Sequence, residues 1–204
     1  RWGHIAPVST VGAVLPDGKK SSRGKLRGIP SNGMMCSAGE LAIDTEGLPD
    51  EQVNGIYILP PDTPVGVPAA QVLGLDDVIL EFELTANRAD CFSVIGIARE
   101  VAALTGKSLR MPTIEVKETA GVRAADLVSI HIDDKELCHR FSARVLRDVK
   151  VAPTPAWMVD RLRGAGISSI NTVVDVTNFV MLELGQPLTA YDYAGIAGPK
   201  LTAR

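Results

Sequence analysis

The stretch Gly166–Asp192, GISSINTVVDVTNFVMLELGQPLTAYD, decides how the last third of this chain folds. Its apolar residues, together with one threonine, recur at the spacing of one helix face, which predicts an amphipathic α-helix. Asn171 or Ser169 can cap the start of this helix, and Gly185 followed by Pro187 predicts its end. The residues of the predicted apolar face are Ile170, Val173, Val174, Thr177, Met181 and Leu184.

A stripe of short polar residues follows another face of the same helix, formed by Asn171, Asp175 and Asn178. A surface helix ordinarily carries long charged side chains there. Amides and a single carboxylate suit ordered hydrogen bonding better than bulk solvation. The pattern alone therefore favours a capping and helix-dipole role for Asn171 and Asp175 over a binding site.

Composition places the 204-residue chain among ordinary globular proteins, with 46 % hydrophobic and 22 % charged residues and a net charge of −3. No apolar run approaches the roughly 18 to 20 residues that span a bilayer, so we expect no membrane partner. The three cysteines are widely spaced and form no metal-ligand or disulfide pattern, which predicts a cytoplasmic protein without a metal site. The chain opens on Arg1 and ends at Arg204 near an apparent strand start, so we expect a piece of a longer chain.

Residues 1–66 carry strand and turn signals and no long helix. Within them, five cations fall into nine residues with no acid among them: Lys19, Lys20, Arg23, Lys25 and Arg27. This cluster fits a solvated hairpin loop and a contact with a phosphate backbone equally well. It contains no aromatic residue, so we expect any nucleic acid to be bound through charge and shape rather than base stacking.

Around this cluster, the turn signal Pro16-Asp17-Gly18 ends a short apolar run. Ser37 and Glu40 fit a capping box, which predicts one helical turn through Leu41. A short strand is predicted at Gly55–Leu59. Several short strands separated by turns suggest a small barrel.

The middle of the chain predicts a strand that leads into a helix. Val78–Leu84 alternates between apolar and acidic residues, as a half-buried strand does. A helix capped by Asp90 or Ser93 then extends to about Leu104, and Gly96 inside it indicates close packing. The intervening Asn-Arg-Ala-Asp cluster is interpreted as a structural turn in which Arg88 pairs with a carboxylate.

Two further strands and one helix are predicted before the opening stretch. Leu127–Asp133 alternates, and Phe141–Val151 reads as a second β segment, after a linker at 110–125. Thr154-Pro155 starts a helix whose buried edge includes Met158 and Leu162.

Three strings, in chain order, resemble one protein family. LPDGKKSSRGKLRGIPSNGMMCSAGELAID resembles the second half of the tRNA-binding OB-fold module of EMAP II-like proteins, which also occurs in the bacterial phenylalanyl-tRNA synthetase β subunit. LTANRADCFSVIGIAREVAALTGK resembles the same subunit, with alanine where the family usually has proline. TPAWMVDRLRGAGISSINTVVDVTNFVMLELGQPLTAYD resembles the start of its B3/B4 editing domain.

The resemblance implies an α+β, multi-domain fold. Residues 1–66 would form a partial OB-fold β-barrel with the tRNA-binding cations. Residues 67–122 would form a small B1-like strand–helix domain with a linker, and residues 123–204 the start of a mixed α/β editing domain.

The resemblance also implies a fragment of the β subunit of phenylalanine–tRNA ligase, which joins phenylalanine to its tRNA with ATP and Mg²⁺ in an α2β2 assembly. Aminoacylation chemistry would lie on the α subunit, so this chain would hold no catalytic residue and bind no cofactor itself. Its partners would be tRNA and the α subunit. A trans-acting hydrolase of mischarged tRNA and a non-catalytic tRNA-binding module are the alternatives.

By the same resemblance, Thr177 and Asn178 are candidates for an editing pocket. Thr189 stands where the family has a histidine of that pocket. Threonine cannot act as a base or a cation near neutral pH in place of imidazole. We therefore expect that this chain alone holds no complete editing site.

Overall fold

The computed structural model describes residues 3–45 and 48–204. The chain divides into two compact units, residues 1–81 with 163–168 and residues 82–162 with 169–204. Together they contain helices and small sheets, which confirms the mixed α and β class. The finer division into three domains stays a prediction. In the described part of the chain, no helix combines the length and apolarity that crossing a bilayer requires.

The first unit is built on short antiparallel strands. Strand β1 (Val8–Thr10) pairs with β4 (Gly33–Met35), and β2 (Gly24–Leu26) pairs with β3 (Ile29–Ser31). These are two separate two-stranded sheets among the described residues, so the partial barrel stays a prediction. Two short helices follow, α1 (Asp50–Val53) and α2 (Ala69–Val72).

The core of this unit forms around the predicted capping box. The backbone N–H of Ser37 donates to Glu40 Oε2 at 2.8 Å, and the Glu40 N–H donates back to Ser37 Oγ at 3.4 Å. The predicted single turn is a 3-10 turn at Gly39–Leu41. These bonds hold the turn in the apolar cluster, whose buried members are Leu15, Cys36, Ala38, Leu41 and Ile43.

The predicted strand Gly55–Leu59 does not form a regular strand. It is tied instead by two backbone bonds, from Tyr57 N–H to the Cys36 carbonyl at 3.0 Å and from Leu59 N–H to the Ile5 carbonyl at 2.9 Å. The segment is therefore attached to two neighbours without making a continuous ladder with either.

The second unit begins with the predicted helix, α3 (Val94–Thr105). Ser93 caps it by accepting from the Gly96 N–H at 3.1 Å, and Gly106 ends it with φ 65°. The interpretation of Gly96 is also confirmed, because a Cβ there would lie 1.8 Å from the Asp90 carbonyl oxygen. Asp90 does not cap the helix with its side chain.

Two helices and one parallel strand pair complete this unit, except that the last two residues of the first of these helices belong to the other unit. Helix α4 (Ala156–Gly164) buries Met158 and Leu162 as predicted, and α5 (Thr172–Leu184) is the predicted helix of the opening stretch. Strand β5 (Ser129–Ile132), which lies within the predicted Leu127–Asp133, pairs in parallel with β6 (Lys200–Ala203).

Two further strand predictions are wrong. Val78–Leu84 and Phe141–Val151 contain no regular strand, and most of their apolar side chains are exposed, with Val78 at 76 %. An alternating pattern specifies which face of a strand would be buried, but a strand forms only where a neighbour supplies the other half of the ladder. The described residues offer no such neighbour to either segment.

Candidate functional site

Helix α5 is capped as its sequence predicts. The side-chain oxygen of Asn171 accepts from the N–H groups of Val173 and Val174 at 3.0 and 3.2 Å. At the other end, Gly185 adopts φ 74° and donates to the Met181 carbonyl. Trp157 of α4 makes an edge contact with Phe179, with ring centroids 5.5 Å apart. The helix is therefore fixed at both ends and along one side.

Asp175 is the fully buried charged residue of this helix. The hydroxyl groups of Thr154 and Ser169 both donate to its Oδ2. The backbone N–H of Ile170 donates to Oδ1 at 2.9 Å. These donors come from segments before α4 and before α5, so the carboxylate joins both segments to the first turns of the helix.

The pKa of Asp175 reflects two opposing effects. Burial raises the pKa of the carboxyl, because a charged group is poorly solvated there. Hydrogen bonds from Ser169, Thr154 and the backbone favour the ionised form more strongly and hold the pKa below its ordinary value. Asp175 is thus a satisfied structural carboxylate, which agrees with its interpretation as scaffold.

The editing-pocket candidates lie on and after the same helix. Thr177 is half-buried and its hydroxyl donates to the Val174 carbonyl at 2.6 Å, so its proton is engaged within the helix while its lone pairs are left to accept. Asn178 is half-buried beside it on the next helical position. Thr189 lies beyond the helix end and is exposed. Within the described ranges, no hydrogen bond joins Thr189 to either residue, so the pocket stays a prediction.

Four of the five cations lie on two successive hairpins of the first unit, and Arg23 lies in the segment between these hairpins. Lys19 and Lys20 follow the Pro16-Asp17-Gly18 turn, which closes with a bond from the Leu15 N–H to the Lys19 carbonyl at 2.9 Å. Lys25 lies on β2, and Arg27 occupies the two-residue turn between β2 and β3.

This second turn has the geometry that tight hairpins prefer. Arg27 and Gly28 both have positive φ, at 50° and 83°, as the type I′ turn requires. The turn directs the chain back so that Leu26 pairs with Ile29 and Gly24 with Ser31. Residues 24–31 are named the cationic hairpin below.

All five cationic side chains are exposed. Over residues 3–45 and 48–204, none of them forms an ion pair. Their charge is therefore not neutralised by the rest of the described chain.

Arg88 shows the opposite arrangement. Its guanidinium contacts Asp90 Oδ2 at 2.9 Å and Glu100 Oε1 at 2.6 Å. The hydrogen bond from Arg88 lowers the pKa of Asp90 to about 2, and bonds to Asp90 and Glu100 raise the pKa of Arg88. This confirms the predicted pairing of Arg88 with a carboxylate, whereas the helix is capped by Ser93. The described residues also hold no group of three or more His, Cys, Asp or Glu side chains arranged for a metal ion.

Two features of these sites were missed from the sequence. Thr154 lies 21 residues before Asp175, a separation that no helical or strand period connects. The apolar pair Leu26 and Ile29, which flanks the turn of the cationic hairpin, was also missed, although Leu26 lies inside the basic cluster and Ile29 directly after it. Alternation about a two-residue turn with glycine is a signal that could have found this pair.

The chain is similar to known proteins both in its last third and over its whole length. Residues 137–204 match the family model of the B3/4 domain. The chain is 48 % identical over all of its residues to the phenylalanine–tRNA ligase beta subunit of Anaeromyxobacter dehalogenans, of which it covers 25 %. It is 46 % identical over 99 % of its length to that of Moorella thermoacetica and 48 % over 97 % to that of Clostridium tetani, covering 25 % and 24 % of them. The chain thus spans about a quarter of the length of the curated relatives it matches.

Proposed function

Because this chain belongs to the family of the phenylalanine–tRNA ligase β subunit, we propose that it acts as part of that enzyme. The observation that carries the proposal is the identity of 46–48 %, which extends over nearly the whole chain rather than one motif. The enzyme would be an aminoacyl-tRNA synthetase of the cytoplasm that joins phenylalanine to its tRNA with ATP and Mg²⁺ during protein biosynthesis.

In this proposal the aminoacylation chemistry lies on the α subunit of an α2β2 assembly. The present chain contributes tRNA contact, subunit contact and part of the editing domain, with residues 1–66 as part of an OB-fold module. The experiment is co-expression of the affinity-tagged chain with the family's α subunit. Retention of the α subunit after a high-salt wash is expected, and its complete loss would contradict the subunit contact.

The tRNA contact is supported by the five exposed cations without ion partners. A protein that neutralises phosphates releases condensed counterions, so its affinity falls as salt rises. We expect filter binding of tRNA to this chain to show such a salt dependence. Replacing Lys19, Lys20, Lys25 and Arg27 by alanine should reduce the slope of log K against log salt by about 3, at roughly 0.7 to 0.9 per lost phosphate contact.

A matched control removes the same charge elsewhere. Lys107, Arg110, Lys117 and Lys135 are also exposed, and their replacement by alanine should leave the slope within about one of the unchanged chain. If both quadruple variants flatten the slope equally, binding depends on net charge and not on residues 19–27. If the unchanged chain shows no salt-dependent binding, the proposed tRNA contact fails.

The editing part of the proposal has a physical basis. A pocket for an apolar side chain rejects an analogue that merely adds a hydroxyl by only about a hundredfold, so tyrosine requires a second, hydrolytic sieve. Thr177 and Asn178 would line that sieve, and the exposed Thr189 supplies no imidazole to it. We expect no hydrolysis of tyrosyl-tRNA by this chain above the buffer rate. Hydrolysis well above it, abolished by Asn178→Ala, would instead support the alternative of a trans-editing hydrolase.

The second alternative is a non-catalytic tRNA-binding module, which the cationic cluster favours. It predicts salt-dependent tRNA binding together with loss of the α subunit in the high-salt wash. The co-expression and filter-binding experiments therefore separate the three functions.

A further inference from the structure

The cationic hairpin exposes an apolar pair next to its two charged residues, Lys25 and Arg27. Leu26 and Ile29 are cross-strand partners on either side of the Arg27-Gly28 turn. Their exposed fractions are 73 % and 70 %, so neither side chain is covered by the described chain. A cross-strand apolar pair ordinarily contributes to a hairpin by packing against a core. Here the pair contacts mainly solvent, which leaves it available to a ligand.

An open depression lies beside this pair. It is lined by Leu26, Arg27, Ile29, Pro30 and Ser31. Its lining residues therefore include three apolar residues, one cation and Ser31, whose hydroxyl donates to the Gly33 carbonyl at 3.0 Å. Such a lining suits a ligand that carries a weakly polar C–H face directly next to an anionic group.

The charge around the depression identifies a polyanion. No acid occurs between Asp17 and Glu40, and the cations of this interval have no ion partner in the described ranges. A ribose–phosphate backbone is a polyanion that presents a C–H face beside every charge, and it is the polyanion of the proposed tRNA contact. Bases would need an aromatic platform, and residues 18–39 contain no aromatic side chain.

We propose that this depression is a contact site for the ribose–phosphate backbone of folded RNA. Arg27 binds a phosphate, while Leu26 and Ile29 contact the sugar next to it. The inference rests on the proposed tRNA contact and adds to it a part of the binding free energy that salt does not screen. Recognition by backbone and shape, without base readout, is how proteins bind helical RNA.

The experiment measures the affinity of the full chain for a tRNA transcript and for inorganic polyphosphate, a polyanion without sugar. Leu26→Thr with Ile29→Thr removes apolar surface and places β-branched residues, which favour strands, at both positions. The double variant should bind tRNA about tenfold more weakly, with an unchanged salt slope and an unchanged affinity for polyphosphate. Val65→Thr, at a side chain of the same unit that is 85 % exposed, should leave both affinities within about twofold.

Two further variants test the charged part and the apolar part of the site separately. Arg27→Asn keeps a residue that tolerates positive φ and removes the guanidinium, so it should reduce the salt slope by about one. Leu26→Met with Ile29→Val preserves apolar surface and should retain tRNA binding. Failure of this conservative pair would show that the hairpin fold, and not the apolar contact, is being measured.

The outcomes are distinct. If the unchanged chain binds tRNA and the double threonine variant binds it equally well, the inference is overturned while the proposed tRNA contact stands. Equal weakening of tRNA and polyphosphate binding also overturns it, because the apolar pair would then act only through presentation of charge. If the unchanged chain does not bind tRNA, both proposals fail together.

Discussion

The Asp175 cluster and the cationic hairpin hold charge in opposite ways. The carboxylate of Asp175 is fully buried and receives hydrogen bonds from three other residues of its unit. The cations of the hairpin are exposed and make no ion pair within the described ranges. The first arrangement uses a charge to hold chain segments together, and the second leaves charge available for a partner.

This difference distinguishes groups whose pKa values are perturbed from groups that are available to bind a partner. Strongly perturbed pKa values often mark functional sites, but structural networks perturb them too. The shifts of Asp175 and Asp90 both arise from hydrogen bonds to neighbouring side chains of the same unit. The residues proposed to bind RNA are instead those whose charge nothing in the described chain neutralises.

The largest effect is expected from Asp175→Ala. The substitution leaves the hydroxyls of Thr154 and Ser169 and the N–H of Ile170 without their acceptor and creates a cavity at the start of α5. We expect the free energy of unfolding to fall by about 3 kcal/mol. Urea unfolding measures this loss of stability. The unfolding is followed by the fluorescence of Trp157, which contacts Phe179 of α5, in a Trp2→Phe background that leaves Trp157 as the remaining tryptophan.

Asp175→Asn is the control for this prediction. It keeps the shape and one acceptor oxygen, so the expected loss is about half as large. Equal stability of the alanine variant and the unchanged chain would mean that the buried carboxylate does not hold these segments together. The contrast with the hairpin would then disappear.

The next largest expected effect is the pH dependence of the free energy of unfolding. The pKa of Asp175 is lowered by folding, so its ionised form contributes stability that is fully present above the unfolded-state pKa of about 4. This contribution is lost as pH falls through the lower pKa of the folded state. The stability difference between the unchanged chain and Asp175→Asn should therefore be constant from about pH 5 to pH 8 and shrink below about pH 4. A difference that grows on acidification would contradict the prediction.

Local signals in the sequence predicted the helices well. The cap at Asn171, the end at Gly185 and the close packing at Gly96 each depend on residues within one turn of the position in question. Such features need only the chemistry of neighbouring residues. The capping box of Ser37 and Glu40 was predictable for the same reason.

Features that join distant residues were predicted less well. Ser129–Ile132 and Val78–Leu84 both alternate, but only the first finds a partner, at Lys200–Ala203, 71 residues along the chain. Alternation contains no information about that partner, and the ladder decides whether a strand forms. The bond from Thr154 to Asp175 was missed because it, too, crosses between segments. For the candidate sites, the sequence identified the cations but not the apolar pair that flanks the Arg27-Gly28 turn.

The smallest effect is expected from removing four of the five exposed cations of residues 19–27. Replacing Lys19, Lys20, Lys25 and Arg27 by alanine should change the free energy of unfolding by less than about 0.5 kcal/mol, because exposed side chains without partners contribute little to stability. Urea unfolding of the quadruple variant and of Asp175→Ala in the same assay compares what the exposed cations and the buried carboxylate contribute to the free energy of unfolding. Relief of repulsion among the cations would make any change stabilising. A loss comparable to that of Asp175→Ala would mean that these cations support the fold, and reduced tRNA binding by the variant would then no longer be evidence for an RNA contact.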